Sequence, residues 1–148
     1  MSIKNVSFIG LGVMGYPMAG HLQNNGYNVT VYNRTTVKAE KWVEEYKGSM
    51  AKTPGEASQN SEIVFMCVGR DEDIIEVMEG ESGILSNAAE GSIIVDHTTA
   101  SAEIAKIALS IAESRISKPL SCSPIRFSFE TETFSKVRSE ARLPSTVL

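Results

Sequence analysis

Three glycines, Gly10, Gly12 and Gly15, stand at G-x-G-x-x-G spacing in the run Val6-Ser7-Phe8-Ile9-Gly10-Leu11-Gly12-Val13-Met14-Gly15. Glycine at these intervals does backbone chemistry. The first allows a sharp turn off a strand, the second lets a phosphate approach the main chain, and the third lets a helix pack close to the strand. The N–H groups of that helix's first turn, with its positive dipole end, then make an anion site that needs no charged side chain. An apolar run precedes the triplet and an amphipathic segment follows it. In that context it reads as a dinucleotide-binding loop formed by Gly10, Leu11, Gly12, Val13, Met14 and Gly15. The competing reading is a glycine-rich turn without a ligand.

A second cluster lies where such a site selects its ribose. Tyr27-Asn28-Val29-Thr30-Val31-Tyr32 reads as a strand running into Asn33-Arg34-Thr35-Thr36. A site built for NAD places a carboxylate about 20 residues past the glycines, where it holds the 2′-OH and repels a 2′-phosphate. Here the position is Asn33, with Arg34 beside it. Asn33 hydrogen-bonds without charge, Arg34 pairs with phosphate and stacks on adenine, and Thr35 adds a hydroxyl, so NADP is favoured over NAD. Thr35 or Thr36 also suits an N-cap, a role compatible with phosphate contact.

Cys67, Val68, Thr98 and Thr99 fall at the carboxyl ends of two further apolar runs, where ligands of parallel sheets bind. Thr98, Thr99 and Ser101 are equally N-cap candidates for a helix at Ser101–Glu113. Asp96-His97 resembles half a catalytic dyad, but neighbours in a strand point to opposite faces, so His97 reads as structural. His21 has no partner at metal-ligand spacing. The acidic Asp71-Glu72-Asp73 reads as a solvated helix start favoured by the dipole rather than a metal site.

The elements that must position these groups alternate. Strands near Val6, Val29, Val64 and Ile94 are separated by helices at Met14–Asn25 (closed by Gly26), Thr36–Tyr46, Asp73–Met78 and Ser101–Glu113. A short strand is also expected near Ser49–Lys52, followed by a turn capped by Thr53 and opened by Pro54. This alternation predicts an α/β fold with a doubly wound parallel sheet.

The run Phe8-Ile9-Gly10-Leu11-Gly12-Val13-Met14-Gly15-Tyr16-Pro17-Met18-Ala19 resembles the N-terminal signature of the β-hydroxyacid dehydrogenases, the 3-hydroxyisobutyrate dehydrogenase group related to 6-phosphogluconate dehydrogenase. Ile63–Gly69 resembles that family's fourth strand, and Ser92–Thr99 resembles its next strand, which ends in Asp-x-Ser/Thr-Thr. The resemblance covers residues 1 to about 113. It implies a Rossmann-type NADP-binding domain, with Thr98 at the substrate and Thr99 at the nicotinamide half. The implied chemistry is hydride transfer between nicotinamide and a small β-hydroxy acid or semialdehyde.

The chain then departs from the family pattern. The family's Asp-Ala-Pro-Val-Ser-Gly-Gly loop, its catalytic lysine and its all-helical C-terminal domain have no counterpart motif here, so no catalytic role is carried onto Lys118 or Lys136. Residues 1–113 carry a charge balance of −7 and residues 114–148 one of +3. The latter contain eight serines, three prolines and no glycine. The expectation is a dinucleotide-binding domain at 1–113 and an atypical tail at 114–148, loosely packed or disordered, from a truncated or frame-altered gene. One short strand within Pro124–Glu130 is expected to add to the sheet edge. Two function classes follow: an NADP-dependent oxidoreductase, or a non-catalytic NADP-binding fragment associated with a full-length form. A relative that reduces imines or acts on sugar acids is a third, weaker reading.

Length and composition bound these readings. A chain of 148 residues with 42% hydrophobic content buries one core, and a net charge of −4 gives no sign of nucleic-acid binding. No segment has the apolar length of a membrane span or signal peptide, so a cytoplasmic protein with a small-molecule substrate is expected. Cys67 and Cys122 make neither a disulfide framework nor a metal pattern.

Overall fold

The computed structural model describes residues 3–116 and 126–129. The elements run β1 Asn5–Ile9, α1 Gly15–Asn24, β2 Asn28–Tyr32, α2 Thr36–Tyr46, β3 Ser49–Met50, α3 Pro54–Ser58, β4 Ile63–Met66, α4 Asp71–Glu79, α5 Ile84–Asn87, β5 Ile93–Asp96, α6 Ala102–Ile116 and β6 Arg126–Phe129. All six strands pair in parallel, in the order β3-β2-β1-β4-β5-β6. Strand order reverses between β1 and β4, and in a doubly wound sheet the ligand crevice opens at that switch point.

Strand alternation sends each sheet face into its own helical layer. Val6, Phe8, Val29, Val31 and Phe65 pack with Trp42 and Leu22 beneath α1 and α2. Ile9, Val64, Met66 and Ile94 pack with Ile74, Met78, Ile84 and Ile104 from α4, α5 and α6. Burial on both faces explains why β4 is apolar at all four positions. Ile74 and Met78 lie one helical turn apart and are fully buried, which fixes α4 against the sheet.

Local signals set several boundaries as expected. Thr53 caps α3, its hydroxyl accepting from the Glu56 N–H at 3.1 Å, with Pro54 in the first turn. Among the three candidates for α6, Ser101 is the cap, accepting from the Ile104 N–H at 3.2 Å. Thr35 occupies the N-cap position of α2 but makes no side-chain cap bond. The acidic run opens α4 two residues earlier than periodicity suggested, because Asp71, Glu72 and Asp73 all suit a first turn. It is also less solvated than expected: Asp71 accepts from the Ser101 N–H at 3.3 Å and hydroxyl at 2.6 Å, tying α4 to the start of α6. The four-residue α5 was not expected, being too short for helical periodicity to register.

The β5 edge is covered by β6, where Ile93 to Asp96 align with Arg126 to Phe129. This is the short strand expected within Pro124–Glu130. Helix α6 runs on to Ile116, past the helix end expected at Glu113 and into the segment expected to be loosely packed; the rest of that expectation concerns segments outside the described residues, as does Cys122. Among the described residues, no helix is long and apolar enough to cross a membrane.

Candidate dinucleotide-binding site

Strand ladders continue past the strand ends and gather the site. The Gly10 N–H donates to the Tyr32 carbonyl at 2.9 Å, the Cys67 N–H to Ile9 at 2.9 Å, and the His97 N–H to Met66 at 2.8 Å. The carboxyl ends of β1, β2, β4 and β5 are thereby held side by side around a cleft of about 910 Å³. That volume suits a small-molecule site of roughly 300–1,000 Å³.

The three glycines have three different surroundings. Gly10 has φ +98°, and a Cβ there would run into the Cys67 carbonyl. A Cβ on Gly15 would run into the Gly10 carbonyl, so the start of α1 abuts the turn itself. A Cβ on Gly12 would meet nothing within 4 Å. The first and third glycines are required by the protein's own packing, whereas the second faces open cleft. Met14, at the N-cap of α1, makes no side-chain cap bond, so the helix start is left without a capping side chain. A main-chain cradle with room at Gly12 and an uncapped helix start fits a pyrophosphate.

Gly10, Gly12, Val13, Met14, Asn33, Arg34, Thr35, Cys67, Val68 and Thr99 all line the cleft, as their positions in the sequence suggested. Val13 is 93% exposed and Met14 63%, large apolar side chains left in the open at the cleft mouth. Leu11, Gly15 and Thr98 are not among the residues that line the cleft. Leu11 is a core residue whose N–H donates to Asn33 Oδ1 at 2.9 Å, and Asn33 Nδ2 donates to the Thr35 carbonyl at 3.0 Å. The amide expected at a ribose therefore binds the glycine turn to the β2–α2 turn. Thr98 Oγ1 accepts from the Val68 N–H at 3.0 Å, so its hydroxyl joins the ends of β4 and β5.

Asp96 supports the same corner. It is 3% exposed, its Oδ1 accepts from the Thr98 N–H at 2.8 Å, and its Oδ2 has no hydrogen-bond partner among the described residues. Burial pushes its carboxyl above the ordinary range, opposed by the Thr98 hydroxyl and N–H and by the neighbouring His97. His97 itself lines the cleft and stacks on Phe65, with ring centroids 5.9 Å apart. It thus serves both wall and core, while the sequence reading had assigned it only a structural role.

The lip of the cleft beyond β2 holds two side chains that sequence reasoning missed. Lys38, in the first turn of α2, lines the cleft with Arg34 of the preceding turn, and its nearness in sequence was the available signal. Asp73 reaches across from α4, its Oδ1 3.1 Å from Arg34 Nη1. No local signal links residues 39 positions apart.

The family model described as the NAD binding domain of 6-phosphogluconate dehydrogenase matches residues 5–121. The chain belongs to this family. It is 58% identical over 104 residues to an uncharacterized oxidoreductase of Shewanella frigidimarina, covering 70% of this chain and 36% of that protein. It is 38% identical over 106 residues to the probable 3-hydroxyisobutyrate dehydrogenase-like 1, mitochondrial, of Arabidopsis thaliana, covering 71% and 31% respectively. In fold it is similar to the Mycobacterium tuberculosis 3-hydroxyisobutyrate dehydrogenase solved with L-serine, with a TM-score of 0.72 at 20% identity over 87% of this chain and 40% of that one. The chain thus spans about a third of the length of these curated relatives. The glycine turn and its cleft form the nicotinamide dinucleotide-binding domain of a dehydrogenase and reductase family.

Proposed function

We propose that this domain holds NADP in an oxidoreductase of the 3-hydroxyisobutyrate dehydrogenase type, acting on a small β-hydroxy acid or the corresponding semialdehyde. A bound nicotinamide supplies the hydride chemistry, and the protein contributes position and electrostatics. The glycine turn takes the pyrophosphate on main-chain N–H groups. Cys67, Val68 and Thr99, at the ends of β4 and β5, face the nicotinamide half, with Thr98 fixing the two ends in register beside the substrate.

The observation that carries the NADP preference is the pair Arg34 and Lys38 on the lip, with an uncharged Asn33 at the end of β2. Two cations favour a 2′-phosphate, and the amide does not repel it. Fluorescence titration with NADPH and NADH at equal ionic strength tests this reading. Arg34→Ala should weaken NADPH roughly tenfold or more, the loss of one charge-assisted contact, while NADH, which has no 2′-phosphate, loses clearly less. Equal losses for both would remove the assignment.

A second reading of the same cleft is a nucleotide-holding module without turnover. Steady-state assays on short semialdehydes with NADPH separate the two, since the module reading forbids turnover.

A further inference from the structure

The ribose end of the cleft is crossed by an ion pair that neither the proposed cofactor nor the fold requires. Arg34, on the β2–α2 turn, and Asp73, in the first turn of α4, meet at 3.1 Å from opposite lips. Their freedom differs. The Arg34 side chain is 70% exposed and that of Asp73 only 15%. Asp73 adjoins the fully buried Ile74, and a carboxylate in a helix's first turn is favoured by the dipole. The carboxylate is therefore the fixed member and the guanidinium the movable one. Asp73 also has a second cation: its Oδ2 lies 3.9 Å from Arg70 Nε.

We propose that Asp73 is a specificity-setting residue: it occupies the Arg34 guanidinium as an internal anion, which a 2′-phosphate must displace, with Arg70 left to neutralise the released carboxylate. This rests on the reading of Arg34 as the 2′-phosphate partner. The exchange is physically balanced. A guanidinium offers a fork of donors that fits phosphate as well as carboxylate, and phosphate brings the greater charge. The pair it replaces is solvent-exposed on the Arg34 side, and such pairs contribute little. A ligand without the 2′-phosphate has nothing with which to displace Asp73, so it leaves the lip closed over itself. Asp73 acts through Arg34, as a positioning residue for the ligand's adenosine end.

Fluorescence titration of the full chain with NADPH and NADH, repeated on Asp73→Asn, Arg34→Ala and the double variant, tests the proposal. The expected result is an NADPH-to-NADH affinity ratio raised about fivefold in Asp73→Asn, the scale of one exposed ion pair. The same substitution in the Arg34→Ala background should leave the ratio unchanged, because the competition it relieves has gone. Asp73→Ser should repeat the Asn result, and a circular-dichroism spectrum and thermal melt like those of the unsubstituted chain report that each variant is folded. An unchanged ratio in both Asp73 variants overturns the proposal, and so does a lowered one, which would make the carboxylate a support for Arg34. If Arg34→Ala has no selective effect on NADPH, the 2′-phosphate reading itself has failed. If that effect is intact but the Asp73 variants are silent, only the present inference has failed.

Discussion

The glycine turn and the ribose lip sit at two ends of one cleft and are built on opposite principles. The turn, Gly10 to Gly15, works through main chain: its geometry is set by strand ladders and by carbonyls that exclude any Cβ at its first and third glycines. The lip, Asn33 to Lys38 with Asp73, works through side chains that meet across elements. A backbone site tolerates almost no change in its frame and leaves selectivity unset. A side-chain site is adjustable at little cost to the fold, which is why we propose that selectivity resides there.

The largest effect that sharpens this contrast is expected at Gly10. With φ +98° and the Cys67 carbonyl against it, Gly10→Ala should cost at least about 2 kcal/mol of stability and abolish dinucleotide binding. Thermal melts and titration check both. Thr98→Val removes the acceptor for the half-buried Val68 N–H and should cost about 1–3 kcal/mol, whereas Thr98→Ser keeps the bond and most of the stability. Equal melts for the two variants would show that the hydroxyl does not hold the β4 and β5 ends.

Gly12→Ala should behave differently from Gly10→Ala. Its new methyl points into open cleft, so stability should stay within about 0.5 kcal/mol while NADPH and NADH both weaken on the order of tenfold. Loss of only one of the two would mean that the turn, and not the lip, discriminates between them.

The smallest effect concerns Asp96. Its carboxyl is raised by burial, so the native state holds the proton more tightly than the unfolded chain. Its contribution is complete below the unfolded carboxyl range, about pH 4, and is lost as pH rises through the higher native value. Chemical denaturation across mildly acidic pH should show stability falling with rising pH in that window, and Asp96→Asn should flatten the slope. An unchanged slope would assign the dependence elsewhere.

What the sequence disclosed follows the same division. Gly10, Gly12 and Gly15 were legible because their task depends on neighbours within one strand and one turn, and periodicity alone placed the main strands and helices. Thr53 was legible as a cap because a hydroxyl three residues before a free N–H is a local pattern, whereas Ser101 was one of three equal candidates with Thr98 and Thr99. Arg34 was legible as a cation, but its Asp73 partner was not, since the two are joined only by the packing of α4 on the sheet. Asn33 was assigned to a ribose because nothing local shows that its amide is committed to the Leu11 and Thr35 backbone. The Thr98 hydroxyl is likewise committed to the Val68 N–H, 30 positions earlier, in a bond that exists only once β4 and β5 pair.

The most direct test of the account is a fluorescence titration of the unsubstituted chain with NADPH and with NADH at equal ionic strength. A turn that binds pyrophosphate and a lip that selects the ribose predict saturable binding of both, tighter for NADPH. Binding of neither, or a preference for NADH, would contradict it.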